Sequence, residues 1–371
     1  MRILCSTTPM EGVFAPVLPL LRSRTGDDVL VATGPDLVDR VRSAGLTAVA
    51  AGPAAPAAAA RAMTDPMFTA GSEPWRIGAV MFSRVMAPEK LPALTAIADD
   101  FAPDVILHPP VDLAAPLLAA RRGIPSITYG TGLLLEPELV SAMARWVAPL
   151  WTDSGLSPDT HAGLYRHRYL NPVPASLQPD LGPASACASQ IRPAVPGSTD
   201  DLPPWASQLG DRPVIYVSLG TIPIFNQPSF FAPILEALDD VDVIVTIGHT
   251  ATVDSLGPLP PNIHAENWLS LAAVLPRCDA VVCHSGAGTT LAALSSGLPL
   301  VLLPRGADQF PTAAACERAG AAQVITPDRL TADAVRHAVA TVLKDDSYRS
   351  AARGLQTEIN AMPTAATVEL P

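Results

Sequence analysis

The chain is poor in charge and almost without lysine. Charged side chains make up 16% of its 371 residues against 49% hydrophobic ones, and only Lys90 and Lys344 are lysines. The formal net charge is −11. A protein that binds nucleic acid needs a basic face for the phosphate backbone, so this balance argues against a nucleic-acid partner. It fits an α/β protein with large buried sheets.

The sequence also lacks a disulfide framework and membrane-spanning segments. Its five cysteines are an odd number without the spacing of disulfide or metal sites, so we expect free thiols in a reducing compartment. The apolar run at the N-terminus is too short for a secretion signal. No uninterrupted apolar stretch is long enough to cross a bilayer. We therefore expect a cytoplasmic protein without a membrane partner.

Two further chemistries find no support in the sequence. No Gly-x-Gly-x-x-Gly follows the first predicted strand, which argues against a hydride-transferring dehydrogenase. We assign no metal site and expect no cofactor.

Short apolar strands alternate with helical segments along the chain, which is typical of parallel, doubly wound sheets. A chain of this length favours two domains, and prolines cluster between residues 193 and 204. We predict an N-terminal Rossmann-like domain over 1–190, a linker over 191–212 and a C-terminal Rossmann-like domain over 213–371. Whether the last helix packs back on the N-terminal domain is left open. The expected strands lie near 2–5, 29–32, 104–107, 124–129, 214–221, 241–246, 280–282 and 300–303, with a further short strand before Trp268.

One glycine-containing stretch has the pattern of an anion site. Cys283-His284-Ser285-Gly286-Ala287-Gly288-Thr289-Thr290 follows an apolar strand and opens a predicted helix. Glycines let a phosphate approach the backbone, and a helix N-terminus offers free N–H groups. A tight strand-to-helix turn is the alternative interpretation. Asp308 and Gln309 follow the next strand, at the edge where open α/β sheets bind ligands. The pattern suggests a ligand with a phosphate at one end and hydroxyls at the other.

Five segments of the second half, taken in order, resemble the nucleotide-sugar-dependent glycosyltransferases that decorate antibiotics and other natural products. They are Tyr216–Thr221, Trp268, His284-x-Gly286-x-Gly288-Thr289, Gly297-x-Pro299 and Pro304-x-x-x-Asp308-Gln309. The first half is similar more loosely, through 1–16, 103–125 and 174–178. The resemblance implies the GT-B fold, with two Rossmann-like doubly wound α/β domains facing each other across a cleft.

The resemblance also implies a co-substrate, a thymidine (TDP) or uridine (UDP) diphosphate sugar, bound by the C-terminal domain. The base would lie on Trp268 and beside the Leu269 backbone, and Asp308 and Gln309 would hold sugar hydroxyls. A core tryptophan and a helix-capping aspartate are the alternatives. The diphosphate would contact His284, Ser218, Gly220, Thr221, Gly286, Gly288 and Thr289.

The implied reaction is direct transfer of the sugar to an acceptor hydroxyl, with inversion. Neutral donors and a helix dipole would stabilise the leaving nucleoside diphosphate without a metal. Related enzymes usually have a general base in the first loop, but here that run is Gly12-Val13-Phe14-Ala15-Pro16, and valine cannot accept a proton. Glu11, His108 and Asp112 are other candidates, each of which could also be a solvated loop residue or a cap. Alternatively, an acidic acceptor such as a phenol or hydroxylamine needs little help from a base.

We expect the acceptor to be a small, largely apolar natural-product aglycone bound by the N-terminal domain. Ordinary core packing is the alternative for its predicted lining, which is Val13, Phe14, Met63, Met67, Phe82 and Met86. A catalytically silent protein that binds nucleotide sugar, or assists another enzyme, is the rival function. A nucleotide-sugar epimerase is a third hypothesis. A homodimer is compatible with these features.

Overall fold

The computed structural model describes residues 1–68, 75–198, 202–222, 224–248 and 251–371, which form two compact units. Unit 1 contains Met1–Pro172, Asp180–Ile191 and Pro363–Pro371. Unit 2 contains Val173–Pro179 and Arg192–Met362. The segment that the sequence marks as a linker therefore groups with unit 2 from Arg192 onward.

Unit 1 is built on a parallel sheet, seven-stranded in the described residues, with the order β3-β2-β1-β4-β5-β6-β7. The sequence pattern missed β3, β6 and β7, which lie at the two ends of this order. The strands are β1 Arg2–Ser6, β2 Asp28–Thr33, β3 Thr47–Ala50, β4 Val105–His108, β5 Ser126–Tyr129, β6 Arg168–Asn171 and β7 Ala188–Gln190.

Helices cover both faces of this sheet, since separate apolar clusters lie around Leu4 and Ile106 on one face and around Ile3 and Val105 on the other. A π-helical turn, Met81–Met86, joins two of the helices. The α-helices are α1 Glu11–Phe14, α2 Leu18–Arg22, α3 Val38–Ser43, α4 Ala55–Thr64, α5 Trp75–Val80, α6 Ala87–Phe101, α7 Ala114–Arg122 and α8 Pro137–Asp153.

Unit 2 has a second parallel sheet, six-stranded in the part of the chain described, with the order β10-β9-β8-β11-β12-β13. Its strands are β8 Val214–Ser218, β9 Asp242–Thr246, β10 Ile263–Glu266, β11 Ala280–Cys283, β12 Leu300–Leu302 and β13 Ala322–Val324. Its α-helices are α9 Pro228–Glu236, α10 Leu271–Val274, α11 Ala287–Ser295, α12 Gln309–Arg318, α13 Ala332–Lys344 and α14 Asp346–Ala361.

The local sequence explains these elements. Every residue of β8 (VIYVS) and β11 (AVVC) is buried, as expected for central parallel strands covered on both faces. α13 instead buries one stripe of side chains at spacings of three and four, and the Thr331 hydroxyl caps it by accepting the Ala334 N–H at 3.1 Å. The predicted class of two Rossmann-like, doubly wound parallel sheets is confirmed.

The last helix, α14, groups with unit 2, where the Gln356 amide donates to the Ser295 carbonyl, at the end of α11, at 3.1 Å. Only the tail, Pro363–Pro371, groups with unit 1. There the Ser23 hydroxyl contacts the Ala365 carbonyl at 3.3 Å.

In each sheet the order of the strands along the chain changes direction once, between β1 and β4 in unit 1 and between β8 and β11 in unit 2. This position is the switch point of the sheet. The carboxyl ends of these neighbouring strands are the usual ligand sites of open α/β sheets. As for membranes, no helix among the described residues is both long and apolar enough to cross a bilayer.

Candidate functional site

The glycine-containing stretch forms a sharp turn between β11 and α11. The N–H of His284 donates to the Ser218 carbonyl at 3.3 Å, which ties the end of β11 to the end of β8. Ser285 has φ +66, a left-handed conformation that is uncommon outside glycine. Gly286 then precedes the first residue of α11 in an extended conformation. The free N–H groups of α11 therefore begin at the switch point of unit 2.

Two glycines enclose the His284 imidazole. A Cβ added at Gly220 would lie 2.4 Å from Nε2 of His284, and one added at Gly286 would lie 2.3 Å from it. Real Cβ atoms do not approach other atoms so closely. A side chain at either position would therefore collide with the imidazole ring, which explains why both residues are glycines. A Cβ at Gly288, by contrast, would meet no atom within 4 Å. Gly288 is thus the motif glycine that leaves open space for a ligand.

Several polar atoms at this turn are buried without a hydrogen-bond partner among the described residues. They include Nδ1 of His284 and the Ser285 hydroxyl. Burial, opposed by a backbone hydrogen bond and assisted by the positive charge of Arg305, lowers the pKa of His284 to about 4. The ring is therefore neutral at pH 7. Because an unpaired buried polar atom is costly, these groups point to a ligand at the start of α11.

Arg305 was missed by the sequence reasoning, which treated it as a variable position of the Pro304-x-x-x-Asp308 pattern. Its guanidinium carbon lies 3.7 Å from the centroid of the Phe230 ring. Nε and Nη2 of Arg305 are buried and have no partner in the described residues. Burial also lowers its pKa. The available signal was an arginine three residues after the end of β12, in a chain so poor in positive charge.

The predicted sugar-binding pair is split between two roles. The Gln309 side chain is buried, and its oxygen accepts the N–H of Arg305 at 2.8 Å and that of Gly306 at 3.2 Å. That oxygen therefore holds the loop after β12, so it is not free for a sugar hydroxyl. Asp308 is exposed and its side chain does not cap α12. Asp308 remains the candidate for sugar hydroxyls.

Trp268 presents an open aromatic surface beyond the end of β10. Its side chain is 46% exposed, which argues against the alternative of a core tryptophan. The next residue, Leu269, is buried, and the Asn267 amide fixes the turn by donating to the carbonyls of Gly248 and Ala251 at 3.1 and 2.6 Å. An exposed ring on a fixed turn suits a stacked base.

The remaining predicted donor residues lie on the same edge of unit 2. Ser218 is buried at the end of β8, Thr221 is exposed, and Thr289 is half-buried in the first turn of α11. Asn226, a residue that the sequence did not suggest, donates to the carbonyls of Gly220 and Ile247 at 2.7 and 2.5 Å. Asn226 thereby holds the loop that carries Gly220 against His284.

Unit 1 has a buried ion pair at its own switch point. Lys90 lies 2.6 Å from Asp112, and both side chains are buried. The same Asp112 oxygen accepts the Ser6 hydroxyl at 2.6 Å, while the Lys90 ammonium also donates to the carbonyls of Thr7 and Ala32 at 2.6 and 3.3 Å. Although burial opposes it, the positive charge of Lys90 holds the pKa of Asp112 below its usual value. A carboxylate held in this way is a weak base.

The other two candidate bases are also engaged. Glu11 forms an ion pair with Arg40 at 2.9 Å. His108 is fully buried, with Nδ1 3.1 Å from the Pro109 carbonyl and Nε2 3.4 Å from the Thr128 hydroxyl. Burial lowers the pKa of His108 to about 4. Each of the three side chains is thus engaged with another group of the chain, whereas a general base must be free to reach the acceptor hydroxyl.

A cavity of about 10 Å³, partly open to solvent and with room for about one water molecule, lies beside the ion pair. Phe82 and Met86, two of the predicted acceptor residues, line it together with Thr8, Lys90 and Asp112. Both predicted residues belong to the π-helical turn, a feature that often accompanies functional sites. The structure thus brings an apolar wall and a buried charge pair to the end of β1.

The other predicted acceptor residues lie elsewhere. Phe14 is fully buried in the core around Ile3, so its proposed contact with an acceptor is corrected to core packing. Met63 is 60% exposed on α4, and Met67 packs in a small cluster with Val80. Val13 is half-buried on α1. These three do not line the cavity.

The described residues contain no group of three or more His, Cys, Asp or Glu side chains placed to hold a metal. An Asp-x-Asp run, Asp240-Val241-Asp242, does occur, but it enters β9 at the edge opposite to His284. Asp242 there is paired with Arg212 at 2.5 Å.

Two family models match most of the chain. Residues 21–191 match the N-terminal domain, and residues 232–369 the C-terminal domain, of erythromycin biosynthesis protein CIII-like proteins. The chain belongs to this EryCIII-like family. It is therefore a glycosyltransferase, and the predicted resemblance to natural-product glycosyltransferases is confirmed.

Individual relatives cover the EryCIII-like chain from end to end. The elloramycin glycosyltransferase ElmGT of Streptomyces olivaceus is 29% identical over 99% of this chain and 96% of its own. The L-demethylnoviosyl transferase of Streptomyces niveus is 28% identical with the same coverage. The glycosyltransferase SsfS6 of Streptomyces sp. SF2575, solved with thymidine diphosphate, has a TM-score of 0.81 at 27% identity and covers 99% of this chain and 97% of its own. Such neighbours agree with the predicted GT-B class.

Proposed function

We propose that this EryCIII-like protein transfers a sugar from a TDP-sugar to a hydroxyl of a small apolar natural product, with inversion and without a metal or cofactor. The observation that carries the proposal is the group of buried, unpartnered polar atoms of His284, Ser285 and Arg305 beside the N-terminus of α11. A diphosphate supplies the acceptors that these atoms lack. TDP is favoured over UDP because SsfS6 and VinC, both similar to this chain, were solved with thymidine diphosphate.

The leaving group determines what the site must do. Negative charge grows on the diphosphate as its bond to the sugar breaks, so fixed donors aimed at it stabilise the transition state. Gly288 and Thr289 in the first turn of α11 would offer backbone N–H groups, and the neutral His284 ring would offer one more donor. Trp268 would stack on the base, and Asp308 would accept from sugar hydroxyls.

The acceptor is proposed to bind against the apolar wall of Phe82 and Met86, outside the small cavity that these residues line. This apolar wall suits an aglycone of low polarity. Since Val13 cannot take a proton and the three candidate bases are engaged, we propose an acidic acceptor hydroxyl, such as a phenol. A positioned base contributes about 100- to 10,000-fold, and an acidic hydroxyl needs the least of that help.

The rival function is a catalytically silent nucleotide-sugar-binding protein. Both functions can be tested by mixing the wild-type protein with TDP-sugars, then adding a phenol or its saturated alcohol analogue. If the protein is a transferase, TDP is released only when an acceptor is present, and the rate of release is at least about tenfold higher with the phenol than with the alcohol. Tight TDP binding without acceptor-dependent release would favour the silent protein. Isomerisation of the donor without any acceptor would instead indicate an epimerase.

The choice of nucleotide is tested by binding alone. We expect a lower Kd for TDP than for UDP in calorimetric titrations. A lower Kd for UDP would overturn the nucleotide assignment but leave the proposed transfer standing.

A further inference from the structure

We infer that Arg305 binds the diphosphate of the donor and supplies the positive charge that the leaving group needs. The inference rests on the proposed function and adds a residue that the recognised motifs leave unassigned. Such a charge matters because a leaving diphosphate is anionic and the proposed reaction uses no metal to neutralise it.

The position of Arg305 follows from the sheet. β12 lies next to β11 in parallel register, with Leu302 opposite Cys283. The residues that follow these strands, Arg305 and His284, therefore share one sheet edge. Electrostatics agrees with this placement, because the charge of Arg305 is one cause of the lowered pKa of His284.

Arg305 is held at both its backbone and its side chain. Its backbone N–H donates to the Gln309 side-chain oxygen at 2.8 Å, and its guanidinium carbon lies over the Phe230 ring, 3.7 Å from the centroid. Stacking on an aromatic face leaves the edge of the guanidinium, with its N–H groups, for another partner. Phe230 thus restrains the group without using its donors.

The unused donors identify the class of ligand. Nε and Nη2 of Arg305 are buried, yet neither has a partner in the described part of the chain. A guanidinium stays charged in proteins, and burying its N–H groups without an acceptor is costly. Adjacent Nε and Nη2 groups form a fork that matches two oxygens of one phosphate. The expected partner is therefore an anion with paired oxygens.

Other groups nearby favour a diphosphate over a carboxylate. The start of α11 and the neutral His284 ring add donors on the neighbouring strand. An anion that accepts hydrogen bonds from Nε and Nη2 of Arg305 and also from the N-terminus of α11 must have several oxygens. A diphosphate has this reach, and a single carboxylate does not.

The test compares ligands that differ only in phosphate content. Thymidine, thymidine monophosphate and TDP are titrated calorimetrically into the wild-type protein and into Arg305→Met, which keeps an apolar stem over Phe230. Arg305→Lys keeps a charge but loses the fork. Arg318→Met is the matched control, because Arg318 is exposed at the far end of α12.

We expect Arg305→Met to weaken TDP binding by about ten- to a hundredfold, with thymidine binding unchanged and the thermal midpoint close to that of the wild type. Arg305→Lys should recover part of the loss, and Arg318→Met should bind like the wild type. Equal TDP affinities in Arg305→Met and Arg318→Met would overturn the inference. So would a parallel loss of thymidine binding in Arg305→Met, which would indicate a structural role. Failure of the wild-type protein to bind TDP would instead contradict the proposed function.

Discussion

The backbone of Gly286 lies so close to the His284 ring that an added Cβ would be 2.3 Å from Nε2. The two residues therefore act as one unit, in which the glycine is needed to seat the histidine. Gly288, two residues further on, has open space where its Cβ would be. This difference separates a glycine required by the fold from one that leaves room for a ligand.

Substitution of the two glycines should have opposite effects on stability. Gly286→Ala forces the imidazole to move and should cost about 1–3 kcal/mol of unfolding free energy. Gly288→Ala lies within α11 and should be neutral or stabilising by up to about 1 kcal/mol, while its methyl group weakens TDP binding. Urea unfolding and TDP titration of both variants measure this. Equal stability of the two variants would contradict the enclosure of His284.

The Lys90–Asp112 pair should behave as a buried ion pair. Asp112→Asn leaves the ammonium without its counter-charge and should cost about 3–5 kcal/mol of unfolding free energy, whereas Lys90→Met combined with Asp112→Leu should cost much less. Asp99→Asn, at the exposed pair with Arg122, is the control and should cost at most about 1 kcal/mol. Chemical denaturation checks all three. If the double variant is as unstable as Asp112→Asn, the paired charges are not the reason for the loss.

His108 should make the protein less stable in mild acid. Its pKa falls from 6.5 to about 4 on burial, so between these values the unfolded chain binds a proton that the folded chain does not. Stability is then lost as the pH falls through this window, by about 2 kcal/mol between pH 7 and pH 5. His108→Asn should remove that part of the pH dependence in urea unfolding at the two pH values. An unchanged dependence would show that His108 already accepts the proton in the folded state.

Trp268 should contribute to donor affinity without contributing to stability. Because its ring is 46% exposed, Trp268→Ala should leave the thermal midpoint nearly unchanged. The loss of base stacking should weaken TDP binding by about 1–3 kcal/mol, or roughly five- to 150-fold in Kd. Trp268→Phe should retain most of the affinity. Unaltered TDP binding by Trp268→Ala would remove the tryptophan from the donor site.

The sequence pattern was most informative where one local run determines the structure. The buried strands β8 and β11 are continuous apolar runs, and the turn at His284 follows from its glycines. β3 and β6 were missed because TAVA and RYLN are too short and mixed to be distinguished from helix or loop. β13, only three residues long, was missed for the same reason.

The finer parts of the site depend on contacts between distant segments. Arg305 meets Phe230, and Asn226 meets Gly220 and Ile247, through loops whose shapes are not encoded in any single motif. Likewise, the role of the Gln309 oxygen is determined by the loop that folds back onto it. Phe14 was assigned to the acceptor because it stands in the first loop, but it points into the core.

Product analysis after incubation of the wild-type protein with an α-linked TDP-sugar and a phenolic acceptor distinguishes sugar transfer from donor binding alone. We expect one equivalent of TDP for each glycoside formed, with a β linkage in the product by NMR. Bound TDP-sugar that yields no glycoside would contradict transfer, and an α-linked glycoside would contradict inversion.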